Sequence, residues 1–427
     1  MIQRIMVAGG GTGGHLFPGL AVVEELRRRV PGLEVRFVGT ARGIEARILP
    51  SRGEALELLN VTPLKGQGVG ARFKSLARIP TAMREASSLM RDFEPDLVLG
   101  VGGYASGPAL LAASLSRRPT ALLEQNAHVG MTNRILARFV DRAYITFEQT
   151  EAVFGKSRSR VTGNPVRQEF VEHARLAIAD PEGFESRART VLVLGGSQGA
   201  RKLNEDVPRA LARAGLANRD IEVVHQTGES MRDEVEATYR ELGIRARVVT
   251  FIDEIARAYS NAALVVARAG ATTLAELCAI GRPSILIPFP FAADDHQAKN
   301  AKALEEQGAS ICIRESELEV DAFGELIGGL LDDPSQRQAM ARAARDHGRP
   351  DAAAAIVDDM MGWLAGAEPT GESMEASEAS ENEPPWGVQY SGLGVSPMLR
   401  LGCPEVALRS ATHRPRRPVV VDGAVWE

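Results

Sequence analysis

The sequence predicts an α/β protein of two doubly wound domains whose parallel sheets face each other across a cleft. Three observations carry this reading. Short β-rich apolar runs alternate with longer helical patterns almost throughout the chain. Several of these runs are unbroken Val/Ile/Leu stretches, the pattern of strands covered by helices on both faces. A strand that runs into a glycine turn and then a helix occurs twice, about one domain apart: Arg4–Ala8 into Gly9–His15, and Thr190–Leu194 into Gly195–Ala200. Such repeats indicate two Rossmann-like domains, which bind ligands at the carboxyl ends of their strands.

Length agrees: 427 residues make two to three domains at roughly 150 residues each. Hydrophobic residues are 44% and charged residues 25%, enough apolar material for two cores without staples. Cys278, Cys312 and Cys403 are far apart, which argues against a zinc ribbon, an iron–sulfur site or a disulfide scaffold. The opening MIQRIMVAGG is too short for a signal peptide or a membrane span, and no other run approaches 18 apolar residues. The expectation is a cytoplasmic protein with at most peripheral membrane contact.

In order, the first domain (1–163) takes strands at Ile2–Ala8, Glu34–Gly39, Leu97–Val101, Thr120–Glu124 and Arg142–Thr146. The break is expected near Gly163-Asn164-Pro165. The second domain (164–349) takes Thr190–Leu194, Ile221–Gln226, Arg247–Phe251, Leu264–Ala267 and Ser284–Pro288, and a C-terminal helix covers 350–365. The stretch AEPTGESMEASEASENEPP then holds no Leu, Ile, Val or Phe, so 366–427 is expected to be a disordered tail with no catalytic part.

Charge is uneven. Residues 1–164 carry 22 Lys/Arg against 14 Asp/Glu, and the remainder 28 against 41. A basic first half suits an anionic partner: a phosphate, a nucleic acid or an acidic lipid surface. Aromatics are only 5% and do not interleave with basic residues, so nucleic acid is the weakest of the three and is not expected.

Gly9–Gly14 fits G-x-G-x-x-G, a turn that brings backbone N–H groups close to a phosphate or another electron-rich group. A dinucleotide site also needs an acid at the end of the next strand, but that strand ends Val38-Gly39-Thr40, with Arg42 nearby. This disfavours NAD and leaves only an Arg42-based NADP site open. His15 lies just inside the following helix, where the dipole keeps an imidazole neutral and able to accept a proton; the alternative is a histidine that only packs. A third turn, Val101–Pro108, again follows a strand, and three such turns suit two phosphate-bearing ligands, one per domain, or else tight helix–strand packing.

In the second half, small residues in Arg268–Glu276 leave helix N–H groups open to a diphosphate, with hydroxyls from Thr272 and Thr273. Glu276 is placed to accept from a ribose diol, or merely suits a first helical turn. Asp294-Asp295 is weak evidence for a metal and reads better as a cap on the helix Gln297–Gln307, whose Gln297 suits sugar hydroxyls. No metal or cofactor is expected. Lys65, Arg72, Lys74, Arg78 and Arg84 among Phe73, Leu76, Ile79 and Met83 make 64–90 either a lipid-docking segment or an ordinary amphipathic helix.

Gly-Gly-Thr-Gly-Gly-His, Gly-Gly-Tyr-Ala-Ser-Gly-Pro, Glu124-Gln125-Asn126, Gly163–Arg167, Gly-Gly-Ser-Gln-Gly-Ala and Arg-Ala-Gly-Ala-Thr-Thr-Leu-Ala-Glu occur in this order. Together they closely resemble the MurG family of bacterial peptidoglycan glycosyltransferases, which have the GT-B fold. The likeness spans residues 1 to about 365. It implies an inverting transfer of N-acetylglucosamine from UDP-GlcNAc to the C4 hydroxyl of the N-acetylmuramoyl unit of lipid I, giving lipid II at the cytoplasmic face of the membrane. On the donor side it implies backbone pairing of uracil at Ile252, ribose at Glu276, diphosphate at Ser197 and Ala271, Thr272, Thr273 and Leu274, and donor contacts at Asn126, Arg167, Ala275 and Gln297. It places Thr12, Gly13, Gly14 and the proposed base His15 on the acceptor side with Tyr104 and Ser106, and makes 64–90 a patch for an anionic membrane. His296 departs from members that carry a second glutamine there, and the tail lies outside the family pattern. Other readings are a transferase to another lipid such as diacylglycerol, a sugar-nucleotide epimerase, and a non-catalytic scaffold.

Overall fold

In the first strand, Ile5 and Val7 face one apolar layer while Met6 and Ala8 face another, and all four are buried. A strand covered on both sides must be apolar at every position, which is why its sequence shows no alternation. The computed structural model describes residues 2–61, 69–196 and 199–366, the side chains of 69–79 excepted. The expected tail beyond Gly366 therefore lies outside the described residues.

The first sheet holds β1 (Arg4–Gly9), β2 (Glu34–Gly39), β3 (Leu56–Leu58), β4 (Leu97–Gly102), β5 (Thr120–Glu124), β6 (Arg142–Ile145) and β7 (Ser159–Val161), in the order β3-β2-β1-β4-β5-β6-β7. The second holds β8 (Thr190–Leu194), β9 (Glu222–Gln226), β10 (Ala246–Val249), β11 (Ala262–Ala267), β12 (Ser284–Leu286) and β13 (Ser310–Cys312), in the order β10-β9-β8-β11-β12-β13. Every pairing is parallel.

The helices of the first lobe are α1 (Gly13–Arg29), α2 (Glu45–Ser51), α3 (Val69–Phe93), α4 (Ser106–Leu115), α5 (Met131–Leu136) and α6 (Glu151–Phe154). Then follow α7 (Gln168–Ala179), α8 (Pro181–Ser186), α9 (Arg201–Arg213), α10 (Arg232–Glu241), α11 (Ile255–Ser260), α12 (Ala271–Ile280), α13 (His296–Glu305), α14 (Val320–Asp332), α15 (Pro334–His347) and α16 (Ala352–Leu364). Among the described residues no helix is long and apolar enough to cross a membrane.

Two features of this topology place the site. In each sheet the chain reverses its direction of travel between two neighbouring strands, β1 and β4 in one and β8 and β11 in the other. The turns after those four strands open at the switch points where such folds bind ligands. The chain also returns: α16 sets Ile356, Val357 and Met360 into the core beside β1 and β4. There Asp359 accepts from the Tyr144 hydroxyl at 2.9 Å and from Arg160 Nε at 3.1 Å. The last described helix thus closes over the first lobe while α7 packs on the second.

Candidate active site

The turns after β1 and β4 meet backbone to backbone. Gly10 N–H donates to the Gly102 carbonyl at 3.0 Å, and a Cβ on Gly9 or Gly103 would overlap the opposite turn. Gly9, Gly10, Gly102 and Gly103 all have φ between +85° and +142°, a conformation few other residues adopt. Close packing therefore explains these glycines in the first lobe. Moreover, the Gly11 N–H is already held by the Glu45 carboxylate at 2.6 Å. The expected phosphate cradle at this turn meets a carboxylate of the chain itself. Glu45 arrives six residues after Gly39 and is buried against the turn, so neither a ribose nor an Arg42-based NADP site follows from it.

His15 stands in the first turn of α1. Its Nδ1 lies 3.1 Å from the Gly10 carbonyl and 3.4 Å from the Thr12 hydroxyl. A carbonyl only accepts, so Nδ1 carries the hydrogen and Nε2 keeps its lone pair. The ring packs over Gly102. Burial lowers the His15 pKa and His296 adds to that, while the Gly10 carbonyl and Glu45 oppose it. The direction matches the expected neutral imidazole; the leading cause is burial.

The second lobe presents the N-terminus of α12 to the same place. The Thr272 hydroxyl donates to the Gly14 carbonyl at 3.3 Å, which ties the two helix N-termini together across the cleft. Ala271 and Leu274 are buried in the core and Ala275 packs against it, so the side chains of these three are taken up by packing. Glu276 is buried and bonded to Arg167 at 3.0 Å. Burial pushes its carboxyl up and Arg167 opposes the shift. The Arg167 guanidinium sits 5.1 Å from the ring of Phe17 on α1, so it too spans the lobes. A ribose diol at Glu276 has to share the carboxylate with Arg167.

On the other flank Asn126 meets Asn300 of α13 at 3.2 Å, while Asn300 also accepts from Ala127 N–H at 2.9 Å. Glu124 beneath them accepts from the Asn126 and Gly130 backbones and from Asn133. Gln297 accepts from Phe289 N–H at 3.0 Å and so shapes the Pro-Phe loop. His296 is placed by the Ala293 carbonyl.

Contacts between the lobes thus join the start of α1, which carries Gly13, Gly14 and His15 after Thr12, to Thr272 and to the Arg167–Glu276 pair, while Asn126 is tied to α13 through Asn300. Ile252 has its side chain in the core beside Leu274. Ser197 lies outside the described residues, as do 62–68 and the side chains of 69–79 of the basic segment. Tyr104 is exposed on the turn after β4, but Ser106 is fully buried and its hydroxyl donates to the Gly103 carbonyl at 2.8 Å. Its side chain closes the turn and does not face the acceptor side as expected. The capping role of Asp295 also fails. Asp294 and Asp295 have φ of 55°, the Asp295 side chain makes no cap bond to α13, and it pairs with Arg314 at 3.1 Å. Among the described residues no three His, Cys, Asp or Glu side chains gather as a metal site.

Sequence reasoning passed over Glu45 and Asn300. The signal for Asn300 was a poor helix former among Ala298, Ala301 and Leu304 on a buried face.

Comparison with known proteins follows this architecture. The model of the glycosyltransferase family 28 N-terminal domain matches residues 5–145, and that of the family 28 C-terminal domain matches 190–356. A protein of Geobacter sulfurreducens, named UDP-N-acetylglucosamine--N-acetylmuramyl-(pentapeptide) pyrophosphoryl-undecaprenol N-acetylglucosamine transferase, is 45% identical over 359 residues, 84% of this chain and 98% of its own. A Myxococcus xanthus protein of the same name is 43% identical over 90% of this chain and 99% of its own. The crystal structure of Acinetobacter baumannii MurG superposes with a TM-score of 0.69 at 30% identity, covering 83% of this chain and 98% of that one.

Proposed function

The chain belongs to glycosyltransferase family 28, and from that premise we infer that it transfers N-acetylglucosamine from UDP-GlcNAc to the N-acetylmuramoyl C4 hydroxyl of lipid I, forming lipid II for peptidoglycan. The observation that carries this is the near full-length likeness to transferases whose names state that donor and acceptor. Those names do not favour another lipid acceptor. Two lobes suit a UDP-GlcNAc-dependent hexosyltransferase, one for each substrate.

The chemistry is one in-line displacement. The C4 oxygen attacks the anomeric carbon as the bond to the UDP β-phosphate oxygen breaks, and UDP departs with the electron pair. The α-linked donor thus gives a β-linked product. His15 Nε2 takes the hydroxyl proton. Negative charge grows on the leaving diphosphate, and the N-terminus of α12 at Ala271–Thr273, with the turn around Ser197, stabilises it. Ile252 is assigned to uracil, Glu276 with Arg167 to ribose, and Asn126 with Gln297 to the donor sugar. Thr12–Gly14 and Tyr104 are assigned to the acceptor, and the lobes divide near residue 163. Closing the lobes at Thr272–Gly14 excludes water and limits hydrolysis of the donor.

Docking on the anionic cytoplasmic face of the membrane completes the reading. Its support within the described residues is α5. Met131 and Ile135 stand four residues apart and exposed, Phe139 follows in the next turn, and exposed Arg134 and Arg138 flank them. Apolar side chains ringed by arginine suit an anionic bilayer. Purified protein given UDP-GlcNAc with either a short-chain lipid I analogue or diacylglycerol tests the acceptor. Label should move to the lipid I analogue alone, and transfer to diacylglycerol alone would overturn the reading.

A further inference from the structure

One buried carboxylate stands behind the proposed catalytic turn and takes no part in the transfer just described. Glu45, at the start of α2, is 1% exposed. Its Oε2 accepts from Gly11 N–H at 2.6 Å; its Oε1 accepts from Thr40 N–H at 2.9 Å and from the Thr40 hydroxyl at 3.0 Å. No arginine or lysine pairs with it among the described contacts, so its charge is met by these three donors. A Cβ on Gly10, Gly39 or Gly43 would overlap the Glu45 side chain. The backbone of two loops is therefore shaped around this one acid, and charge-assisted bonds of this kind are about twice as strong as neutral ones.

We propose that Glu45 is a positioning residue for the glycosyl transfer, fixing Gly10 and Gly11 so that the Gly10 carbonyl holds the His15 ring with Nε2 free for the acceptor hydroxyl. The inference rests on the reading of His15 as the base. The path is short: the carboxylate bonds Gly11, and the adjacent Gly10 bonds both Gly102 and the His15 ring at 3.1 Å. Glycine turns are soft unless something braces them, and here the Glu45 carboxylate adds its brace at Gly11 to the Gly10–Gly102 bond that joins the two turns. The charge acts in the same direction. Glu45 on α2 and His296 on α13 are the ionisable groups facing His15, and Glu45 favours the imidazolium while His296 and burial disfavour it. The remaining neighbours, Gly10, Thr12, Gly102 and Gly14, carry no ionisable side chain. Glu45 thus keeps a buried imidazole from becoming too weak a base.

The test uses the full chain with Glu45→Gln, which keeps the shape but puts an NH2 group where one carboxylate oxygen accepted. In steady-state assays kcat should fall about ten- to a hundredfold, the range expected when a catalytic group is displaced by a fraction of an ångström to one ångström. KM for UDP-GlcNAc should stay within about threefold. NMR titration of His15, identified by the signal missing in His15→Ala, should show a midpoint below that of the wild type, and the acidic limb of kcat/KM should move to lower pH with it. Glu45→Asp, which keeps the charge, should return the midpoint toward the wild-type value. An unmoved His15 midpoint in Glu45→Gln, or a defect confined to KM for UDP-GlcNAc, overturns the proposal. If Glu45→Gln does not fold, Glu45→Asp gives the same two readings, with a smaller fall in kcat and an unchanged limb. A midpoint that moves while kcat does not overturns the positioning role as well, and His15→Ala assayed alongside tells whether the reading of His15 as the base fails with it.

Discussion

The glycine turns after β1 and after β8 each lead from a strand toward a helix, yet different chemistry stands behind them. The first is braced by the carboxylate of Glu45. The second backs onto the Thr227 carbonyl, where a Cβ on Gly199 would overlap it, and Thr227 in turn accepts from Asn204 Nδ2 at 3.0 Å. Asn204 Oδ1 accepts from His225 Nε2 at 3.2 Å, and the Tyr239 hydroxyl donates to His225 Nδ1 at 2.9 Å. Burial lowers the His225 pKa to about 3, so this brace is neutral. The contrast follows from the ligands assigned to each turn. A carboxylate about 8 Å from a diphosphate charge costs roughly 2 kcal/mol at an effective dielectric near 20, so the donor turn has to be braced without charge. The turn beside a base gains from a negative neighbour.

The largest expected effect breaks the neutral brace with acid. The folded-state pKa of His225 lies below its ordinary value of 6.5, so its contribution to stability is complete above pH 6.5 and is lost as pH falls toward about 3. Urea unfolding of the wild type should lose on the order of several kcal/mol over that window. His225→Gln should lose clearly less between pH 7 and pH 4.5, and equal losses would mean that the imidazole is not a buried neutral group. Next is the base itself. His15→Ala should lower kcat by roughly a hundredfold or more while isothermal titration shows nearly normal UDP-GlcNAc binding. Retention of most activity would remove His15 from the chemistry and with it the reason for a charged brace.

Smaller effects should come from the contacts that join the two lobes. Asn300→Ala leaves Ala127 N–H without its partner and removes the bridge to Asn126. Such a loss is worth about 1–3 kcal/mol, so kcat/KM should fall about tenfold. Thr272→Val removes one neutral bond to Gly14, and kcat/KM should fall only about three- to tenfold. A loss at Thr272 as large as that of His15→Ala would show that its hydroxyl does more than tie the lobes at Gly14, and serves the leaving diphosphate as well.

Much of this was legible in the chain. Both sheets announced themselves through unbroken apolar runs, because strands such as β1 and β8 are covered on both faces. The strands that stayed hidden, β3, β7 and β13, are edge strands of three residues each, too short to leave a run. His15, Thr272 and Glu276 drew notice as candidates because glycine turns and small residues at helix starts are local signals. Glu45 did not, since an isolated acid after Gly43 resembles any exposed helix start until the fold sets it against Gly10 and Gly39. Ser106 misled for the opposite reason. Its place in a glycine turn is local, but the direction of its hydroxyl is set by the carbonyl of Gly103 and by complete burial. Asp295 looked like a cap, and only tertiary structure supplies Arg314 as its partner.

The most direct test of the account is the anomeric configuration of the product, read from the proton coupling at the new linkage after reaction with UDP-GlcNAc and a short-chain lipid I analogue. A single displacement between facing lobes predicts a β-linked disaccharide with one UDP released per linkage formed. An α-linked product, or steady UDP release without acceptor, would contradict it.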